Sequence, residues 1–253
     1  MTKNKLAPIF QLIVQGVITV LYAAMAVHIA FSMFAEKGLD AFSDLSFFLA
    51  LFVILIASLA PPVTLRIRRK LHSEDGEIFP LLFLVIATEA SLIVPLYMQI
   101  TGLYVIPPDG LMIFERFSIL ATAAMFLLSS LEYYGFQNAK LGLYTFYILL
   151  ACLIVAMLAP YNTNRDIIEI YNSYSDAFII FAILLIYLVT AFTFILSAIH
   201  EKTASNIRRC IAFLLLILGM ILTLVNNKFT AIAAAISYLT GVIILCYNTR
   251  DSF

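Results

Sequence analysis

Residues 79–104 read FPLLFLVIATEASLIVPLYMQITGLY and contain one charged side chain, that of Glu89. An α-helix rises about 1.5 Å per residue, so about 20 apolar residues cross the hydrocarbon core of a bilayer. This stretch is longer than that and almost wholly apolar. The sequence therefore predicts a membrane-spanning helix here.

Similar apolar runs recur from one end of the chain to the other. Of the 253 residues, 63% are hydrophobic and 12% are charged, whereas soluble domains contain about 25% charged residues. A water-soluble protein of this size could not cover so much apolar surface. We predict an all-α fold, a polytopic transmembrane helical bundle that occupies residues 1–253 as a single transmembrane domain. We expect about eight spans, at residues 9–34, 45–65, 79–104, 111–133, 141–160, 176–199, 210–226 and 229–247.

Two features of these runs bear on how they are arranged. The first run follows Lys3 and Lys5, as in a secretion signal, but it continues to Phe34. That is well past the 7–15 residue core of such a signal, so we expect it to be retained as the first helix. Only Asn226-Asn227-Lys228 separates the last two spans, so these should form an antiparallel hairpin.

Lysine and arginine collect at alternate ends of the spans, which predicts the orientation. If the amino terminus lies in the cytoplasm, only Lys37, Arg116, Arg165 and Lys228 lie outside. The inner ends then contain Lys3, Lys5, Arg66, Arg68, Arg69, Lys70, Lys140, Lys202, Arg208, Arg209 and Arg250. We therefore expect both termini to be cytoplasmic, in the inner or plasma membrane of a cell.

Glu89 is the first candidate for a functional side chain, because an ionisable group at bilayer depth costs at least ~2.5–3.5 kcal/mol. It lies about eleven residues into its span, about 16 Å deep and near the midplane. Pro95 cannot donate a hydrogen bond to the carbonyl of Ser91, so the helix should be distorted there. A carboxyl near such a carbonyl suits a proton or a cation. The alternative is a protonated glutamate that is hydrogen-bonded to a neighbouring helix.

Two other spans each have one polar face, to judge from a rotation of 100° per residue. The face of the first span contains Gln11, Gln15, Thr19 and Tyr22, and that of the fourth contains Glu115, Ser118, Thr122, Ser129 and Tyr133. Both faces should point into the bundle, either towards a cavity or towards ordinary Ser/Thr packing between helices.

A pocket that opens to the outside is a further prediction. His28 lies at a depth similar to that of Glu115 and Arg116, and Tyr97 and Tyr104 lie at the outer end of the third span. The alternative for His28 is a packing role. The candidate ligand or ion residues are thus Glu89, Ser91, Pro95, Glu115, Ser118, Thr122, His28, Arg116, Tyr22 and Tyr97.

A basic cytoplasmic face is predicted from two loops, one containing Arg66, Arg68, Arg69 and Lys70 and the other running from His200 to Arg209. Orientation and attraction to anionic lipids, at ~1 kcal/mol per basic residue, account for this face without a protein partner. Docking of a cytoplasmic protein is the alternative.

Catalytic chemistry has no motif in this sequence. There is no P-loop, G-x-G-x-x-G, H-E-x-x-H or G-x-S-x-G pattern. The three cysteines, Cys152, Cys210 and Cys246, are scattered in or beside apolar runs and indicate neither a disulfide framework nor a metal site. We therefore expect a non-enzymatic protein without catalytic residues, metal or cofactor. Its surroundings are the lipid bilayer, and we expect no nucleic-acid partner.

Three functional hypotheses remain open. A sensory or receptor-like input module would bind a small ligand, lipid or partner within the bundle and pass the signal to a cytoplasmic or membrane signalling partner. The polar inward faces and the basic inner surface favour it, and the architecture is similar to the multi-helix membrane input regions of bacterial sensor proteins. A small proton- or cation-linked transporter or channel would use Glu89. The third hypothesis is an accessory subunit of a membrane complex.

Overall fold

The computed structural model describes residues 6–37, 41–67, 75–103, 106–134, 141–158, 177–225 and 227–251. Within these residues every regular element is a helix, so the all-α prediction is confirmed. A 3-10 turn covers Glu89–Leu92. The α-helices are α1 (Leu6–Lys37), α2 (Ala41–Ala57), α3 (Ala60–Ile67), α4 (Asp75–Thr88), α5 (Ile93–Thr101), α6 (Pro108–Tyr133), α7 (Leu141–Leu158), α8 (Ala177–Glu201), α9 (Ala204–Thr223) and α10 (Lys228–Asp251).

Seven helical segments of the described residues are long and apolar enough to cross a membrane. They are Ile9–Ala35, Ser46–Ile67, Ile78–Thr101, Asp109–Tyr133, Phe178–His200, Ala204–Thr223 and Phe229–Asn248. The remaining predicted span, 141–160, corresponds to α7, whose apolar part, Gly142–Leu158, is shorter. These helices fit a multi-pass membrane protein.

The prediction of a loop from His200 to Arg209, with the next span starting at residue 210, was wrong. Helix α9 begins at Ala204, because the Thr203 hydroxyl accepts a hydrogen bond from the Asn206 N–H at 3.2 Å and caps the helix. The chain turns at Lys202, which has a positive φ of 47°. A polar first turn therefore precedes the apolar part of α9, and hydropathy alone does not mark it.

Helices α9 and α10 form the antiparallel hairpin that their short connection predicts. The Ser237 hydroxyl donates to the Leu215 carbonyl at 2.8 Å, and a Cβ atom at Gly241 would lie 2.8 Å from the Ala212 carbonyl oxygen. At Gly219 it would lie 3.0 Å from the Tyr238 Cβ. Small residues let the backbones of membrane helices approach closely, and these two glycines do so here.

An aromatic cluster joins four helices in the core. Phe213 of α9 stacks on Phe194 of α8, with ring centroids 4.4 Å apart, and also contacts Phe79 of α4 and Phe126 of α6 at 5.7 and 6.2 Å. Such pairs add about 0.5–1.5 kcal/mol each beyond the area that they bury. The cluster holds α4, α6, α8 and α9 together.

The directions of the first helices follow from pairs of contacts. The Gln15 amide nitrogen lies 3.2 Å from the Phe83 carbonyl oxygen, and the His28 ring lies 5.6 Å from that of Tyr97. Both residue numbers rise together, so α1 is parallel to α4–α5. Gln15 also contacts Ser58, late in the α2–α3 segment, whereas Ala26 and Ala30 line a cavity with Phe48 and Leu49, early in α2. Helices α1 and α2–α3 are therefore antiparallel.

Helix α10 runs parallel to the α2–α3 segment. The Ser58 hydroxyl lies 2.7 Å from that of Tyr238, and the Thr64 hydroxyl lies 3.5 Å from the Cys246 sulfur. Because α1 is antiparallel to α2–α3, α1 begins at the same face of the bundle at which α10 ends. We call this the terminal face.

Helices α6 and α8 are also parallel to each other. The rings of Phe126 and Tyr187 are 6.0 Å apart, and the Ser197 hydroxyl donates to the Tyr133 carbonyl at 3.2 Å. The chain must therefore return to the opposite face between the end of α6 and the start of α8. Helix α7 lies in this interval.

Candidate functional site

The helix that contains Glu89 is interrupted at that residue. Helix α4 ends at Thr88, the 3-10 turn covers Glu89–Leu92, and α5 begins at Ile93, whose N–H bonds to the Ala90 carbonyl three residues back. Pro95 has no N–H to offer and its ring would clash with the preceding turn of a regular α-helix. A tighter 3-10 turn resolves the conflict. The distortion expected at Pro95 thus occurs in the turn just before it.

The Glu89 side chain is buried, with 5% of its surface exposed, and its Oε1 has no hydrogen-bond partner among the described residues. Thr122 of α6 is close enough to interact with the carboxyl, but its Oγ1 completes no hydrogen bond of normal distance and angle in the part of the chain that the structure describes. A buried polar atom without a partner is rare in folded proteins. Two such atoms side by side indicate a site that can accept a further group.

Tyr238 of α10 approaches the same region. Its side chain is fully buried. The Tyr238 hydroxyl lies 2.7 Å from that of Ser58, which lies 2.7 Å from the Ile54 carbonyl oxygen. The two buried pairs, Glu89 with Thr122 and Tyr238 with Ser58, lie in four spans, and we call these four side chains together the polar centre.

Ser58 lies at a second helix interruption, the turn between α2 and α3. Its carbonyl would accept the N–H of residue 62 in a regular helix, but residue 62 is Pro62 and has none. The Gln15 amide nitrogen replaces this donor, at 2.9 Å from the Ser58 carbonyl oxygen. The same nitrogen lies 3.2 Å from the Phe83 carbonyl oxygen. Gln15 therefore joins α1 to both interrupted spans.

The polar face predicted for the fourth span is turned towards this centre. Ser118 and Thr122 are fully buried, and the Ser118 hydroxyl lies 2.9 Å from the Phe114 carbonyl oxygen and 3.4 Å from that of Thr88. Ser91, in the 3-10 turn, is also buried, and no described residue bonds to its hydroxyl. The structure thus brings Glu89, Ser118 and Thr122 together.

The residues predicted to line an outer pocket are less closely assembled. The rings of His28 and Tyr97 meet edge to face, but the His28 side chain lies on an exposed position of α1. Tyr22 packs beside Val94 and Leu111. Glu115 and Arg116 are half-buried on α6, within electrostatic range of each other. Tyr104 lies outside the described residues.

The predicted basic face is only partly described, since Arg68, Arg69 and Lys70 lie outside the described residues. Arg66 is exposed at the end of α3. The Arg209 guanidinium lies 4.6 Å from the centre of the Tyr133 ring, a cation–π geometry, and the Tyr133 hydroxyl donates to the Asn206 Oδ1 at 2.6 Å. Arg208 lies 5.9 Å from the Tyr247 ring centre. These contacts tie the end of α6 and the end of α10 to the start of α9 at the terminal face.

Sequence reasoning missed Tyr238 and Ser58 as members of the polar centre. The signal for Ser58 was the pair Pro61-Pro62 within an apolar span, which leaves carbonyls without donors. Tyr238 carried no such signal, because a tyrosine in an apolar helix is equally typical of a membrane interface.

No protein family, curated protein or solved structure matches this chain. In the residues that the structure describes, no three His, Cys, Asp or Glu side chains come together in a way that could hold a metal ion.

Proposed function

We propose that this protein is a small proton- or cation-linked transporter or channel, with Glu89 as its ion site. The observation that carries the proposal is the buried Glu89 carboxyl with its unpartnered Oε1 at a helix interruption. Glu89 lies fourteen residues after the start of α4 and twelve before the end of α5, near the middle of its span. Interrupted helices that meet near the midplane are typical of ion and substrate sites in transporters.

The chemistry of a buried carboxyl supports this role. A carboxylate without a partner is strongly destabilised away from water, so the group must take up a proton or bind a cation. Either event changes the charge at the junction of α4 and α5, where the backbone has already left α-helical geometry. Binding is thus coupled to the element that is best able to move.

Eight crossings with both termini in the cytoplasm, in the inner or plasma membrane, form the second part of the proposal. Helix α1 begins at the face of the bundle at which helix α10 ends. This requires an even number of crossings. Helix α7 has 18 residues, about 27 Å at 1.5 Å per residue, and modest thinning of the bilayer accommodates the difference from ~30 Å. Arg66, Arg208 and Arg209 lie at the terminal face, which favours the cytoplasm for it.

The crossing by α7 can be tested with cysteines at its two ends. In a variant whose three native cysteines are replaced by serine, Lys140→Cys and Arg165→Cys would each be treated with a membrane-impermeant thiol reagent in intact cells. We expect labelling at residue 165 only, with residue 140 labelled after permeabilisation. If neither site is labelled in intact cells, α7 does not cross the membrane and the proposal of eight crossings fails.

The ion site can be tested in liposomes that contain the purified protein. We expect flux of protons, Na⁺ or K⁺ through the wild type and loss of that flux in Glu89→Gln, because the amide cannot bind the ion. Glu115→Gln is the matched control, since it replaces a carboxyl of the neighbouring fourth span that is not part of the polar centre, and it should retain the flux. Wild-type flux in Glu89→Gln, or no flux of these ions through the wild-type protein, would overturn the proposal.

A sensory or receptor-like module is the second candidate, and the course of α6 favours it. Thr122 of this helix lies beside Glu89, and Tyr133 at the end of the helix contacts Asn206 and Arg209 at the terminal face. A change at the polar centre could reach a cytoplasmic or membrane signalling partner along it. Signalling without ion flux, abolished by Tyr133→Phe, would favour this candidate. The accessory-subunit hypothesis stays a prediction, because the exposed apolar residues of α7 and α8 fit lipid equally well.

A further inference from the structure

Arg208 and Tyr247 form a pair where helices α9 and α10 meet at the terminal face. The Arg208 guanidinium lies 5.9 Å from the centre of the Tyr247 ring, and 52% of the Tyr247 surface is exposed. Two hydrogen bonds between Ser205 and Asn248, each of 3.1 Å, join the two helices at this level. The pair is therefore held by a fixed junction of two spans, and little ordering is needed for it to bind a ligand.

This pair lies at the depth of the lipid headgroups. Tyr247 comes eighteen residues after Phe229, where the apolar part of α10 begins, and this is about 27 Å along the helix. The hydrocarbon core of a bilayer is ~30 Å thick, so Tyr247 lies at its edge. Tyrosine is enriched at this depth, and an arginine beside it can extend its charged end into the headgroup layer.

Exposed apolar side chains lie one helical turn deeper in the membrane. Ile211 follows Arg208 by three residues and is 46% exposed, and Ile243 precedes Tyr247 by four residues and is 65% exposed. Residues three or four apart are neighbours on the surface of a helix. Arg208 and Tyr247 therefore lie above apolar surface on both helices. We call these four residues the α9–α10 edge.

The charge of the α9–α10 edge and its surroundings favours an anion. Among the side chains that the structure describes at the terminal face, one is acidic, that of Glu132, whereas Arg66, Lys202, Arg208 and Arg209 are basic. A guanidinium has five N–H donors in one plane, and a ring against its face leaves the donors at its edges directed outward. Two adjacent donors match two oxygens of a phosphate group.

We propose that the α9–α10 edge binds one anionic phospholipid, with its phosphate on Arg208, its glycerol region against Tyr247 and its acyl chains over Ile211 and Ile243. The depth of the pair and the apolar surface beneath it favour a lipid over an acidic segment of a protein, which would meet the basic side chains from the water. The proposal does not depend on ion flux through the bundle.

This site differs from a diffuse attraction of lipids to the basic face, which depends on charge alone. Arg209 makes the difference measurable, because it is the next residue and has the same charge. Its guanidinium lies 4.6 Å from the centre of the Tyr133 ring, on the side of α9 that meets α6. Diffuse attraction requires Arg208 and Arg209 equally, whereas the proposed site requires Arg208.

The first test uses tryptophan fluorescence, because the chain contains no tryptophan. Full-length Ile243→Trp would be placed in vesicles of phosphatidylcholine and phosphatidylglycerol, with the acyl chains of one lipid or the other brominated as a quencher. Phe192→Trp is the matched control, since Phe192 is exposed on α8 nine residues before its end, and Ile243 lies eight residues before the end of α10. We expect stronger quenching by phosphatidylglycerol in Ile243→Trp and equal quenching by both lipids in Phe192→Trp. Equal quenching in Ile243→Trp would overturn the proposal.

The second test adds substitutions at the two arginines to Ile243→Trp, with helix content checked by circular dichroism. Arg208→Gln should lower the preference for phosphatidylglycerol about tenfold, which corresponds to the loss of a charge-assisted hydrogen bond. Arg208→Lys should also lower it, because lysine keeps the charge but lacks the planar donors. Arg209→Gln should leave it unchanged. Equal losses in Arg208→Gln and Arg209→Gln, or full retention in Arg208→Lys, would indicate diffuse attraction and overturn the proposal. Displacement of the lipid by excess inorganic phosphate would identify a site for a free anion and also overturn it.

Discussion

The two interrupted spans of this protein differ in how the polar groups at each interruption are hydrogen-bonded. At the α2–α3 turn, Pro62 deprives the Ser58 carbonyl of its donor, and the Gln15 amide nitrogen supplies another at 2.9 Å, although the Gln15 Oε1 has no partner among the described residues. At the α4–α5 turn, Pro95 causes a similar interruption, but the Glu89 Oε1 and the Ser91 hydroxyl have no partner in the described residues. An interruption whose freed carbonyl has a hydrogen-bond donor is typical of a structural junction. An interruption beside a buried carboxyl oxygen that has no partner is able to bind a further group. The comparison separates a helix junction from a candidate site.

Gly241→Leu should produce the largest effect, because it disturbs the helix that places Tyr238 against Ser58 at the α2–α3 turn. Any side chain here meets the Ala212 carbonyl oxygen, since a Cβ alone would lie 2.8 Å from it. Overpacking costs about 1–3 kcal/mol, and more where backbone must move, so we expect a marked fall in thermal stability in detergent. The same shift would carry the Tyr238 hydroxyl away from Ser58. Thermal unfolding followed by circular dichroism gives the measurement.

Gly142→Ala is the control for this substitution. Gly142 lies in α7, and a Cβ added there has no atom within 4 Å. Alanine is favoured over glycine in a helix by about 0.5–1 kcal/mol, so this variant should unfold at the wild-type temperature or slightly above. An unchanged melting temperature in Gly241→Leu would contradict the close packing of α9 on α10.

Gln15→Leu and Glu89→Leu should change stability in opposite directions. The first leaves the Ser58 carbonyl without a donor and should cost about 1–2 kcal/mol, since hydrogen bonds between membrane helices contribute ~0.6 and at most ~1.7 kcal/mol. The second removes a buried carboxyl whose Oε1 has no partner, so we expect no loss of stability and a gain of about 1 kcal/mol or more. Thermal unfolding of both variants in the same detergent compares them directly. Destabilisation by Glu89→Leu as large as that by Gln15→Leu would show that both interruptions are structural.

Much of the fold could be predicted from the sequence, because apolar length alone requires helices in a bilayer. Hydropathy did not predict that α9 begins at Ala204, because the cap at Thr203 and a polar first turn extend the helix beyond its apolar part. Glu89 was recognisable as a charge at bilayer depth. The pair of Tyr238 and Ser58 was not, since the two residues lie far apart in the sequence and only the parallel packing of α10 on α2–α3 brings them together.

The smallest changes in stability should come from Ser58→Ala and Ser91→Ala. Each replaces one buried serine, the first at the α2–α3 turn and the second at the α4–α5 turn. Ser58 has two neighbours at 2.7 Å, the Tyr238 hydroxyl and the Ile54 carbonyl oxygen, so its loss should cost about 1 kcal/mol. The Ser91 hydroxyl bonds to no described residue, and its removal should change stability by less than about 0.5 kcal/mol. The difference is measurable as a shift in melting temperature for the first variant alone. A loss of similar size in Ser91→Ala would mean that this hydroxyl is satisfied in the folded protein, and the 3-10 turn would then be a junction of the same kind as the α2–α3 turn.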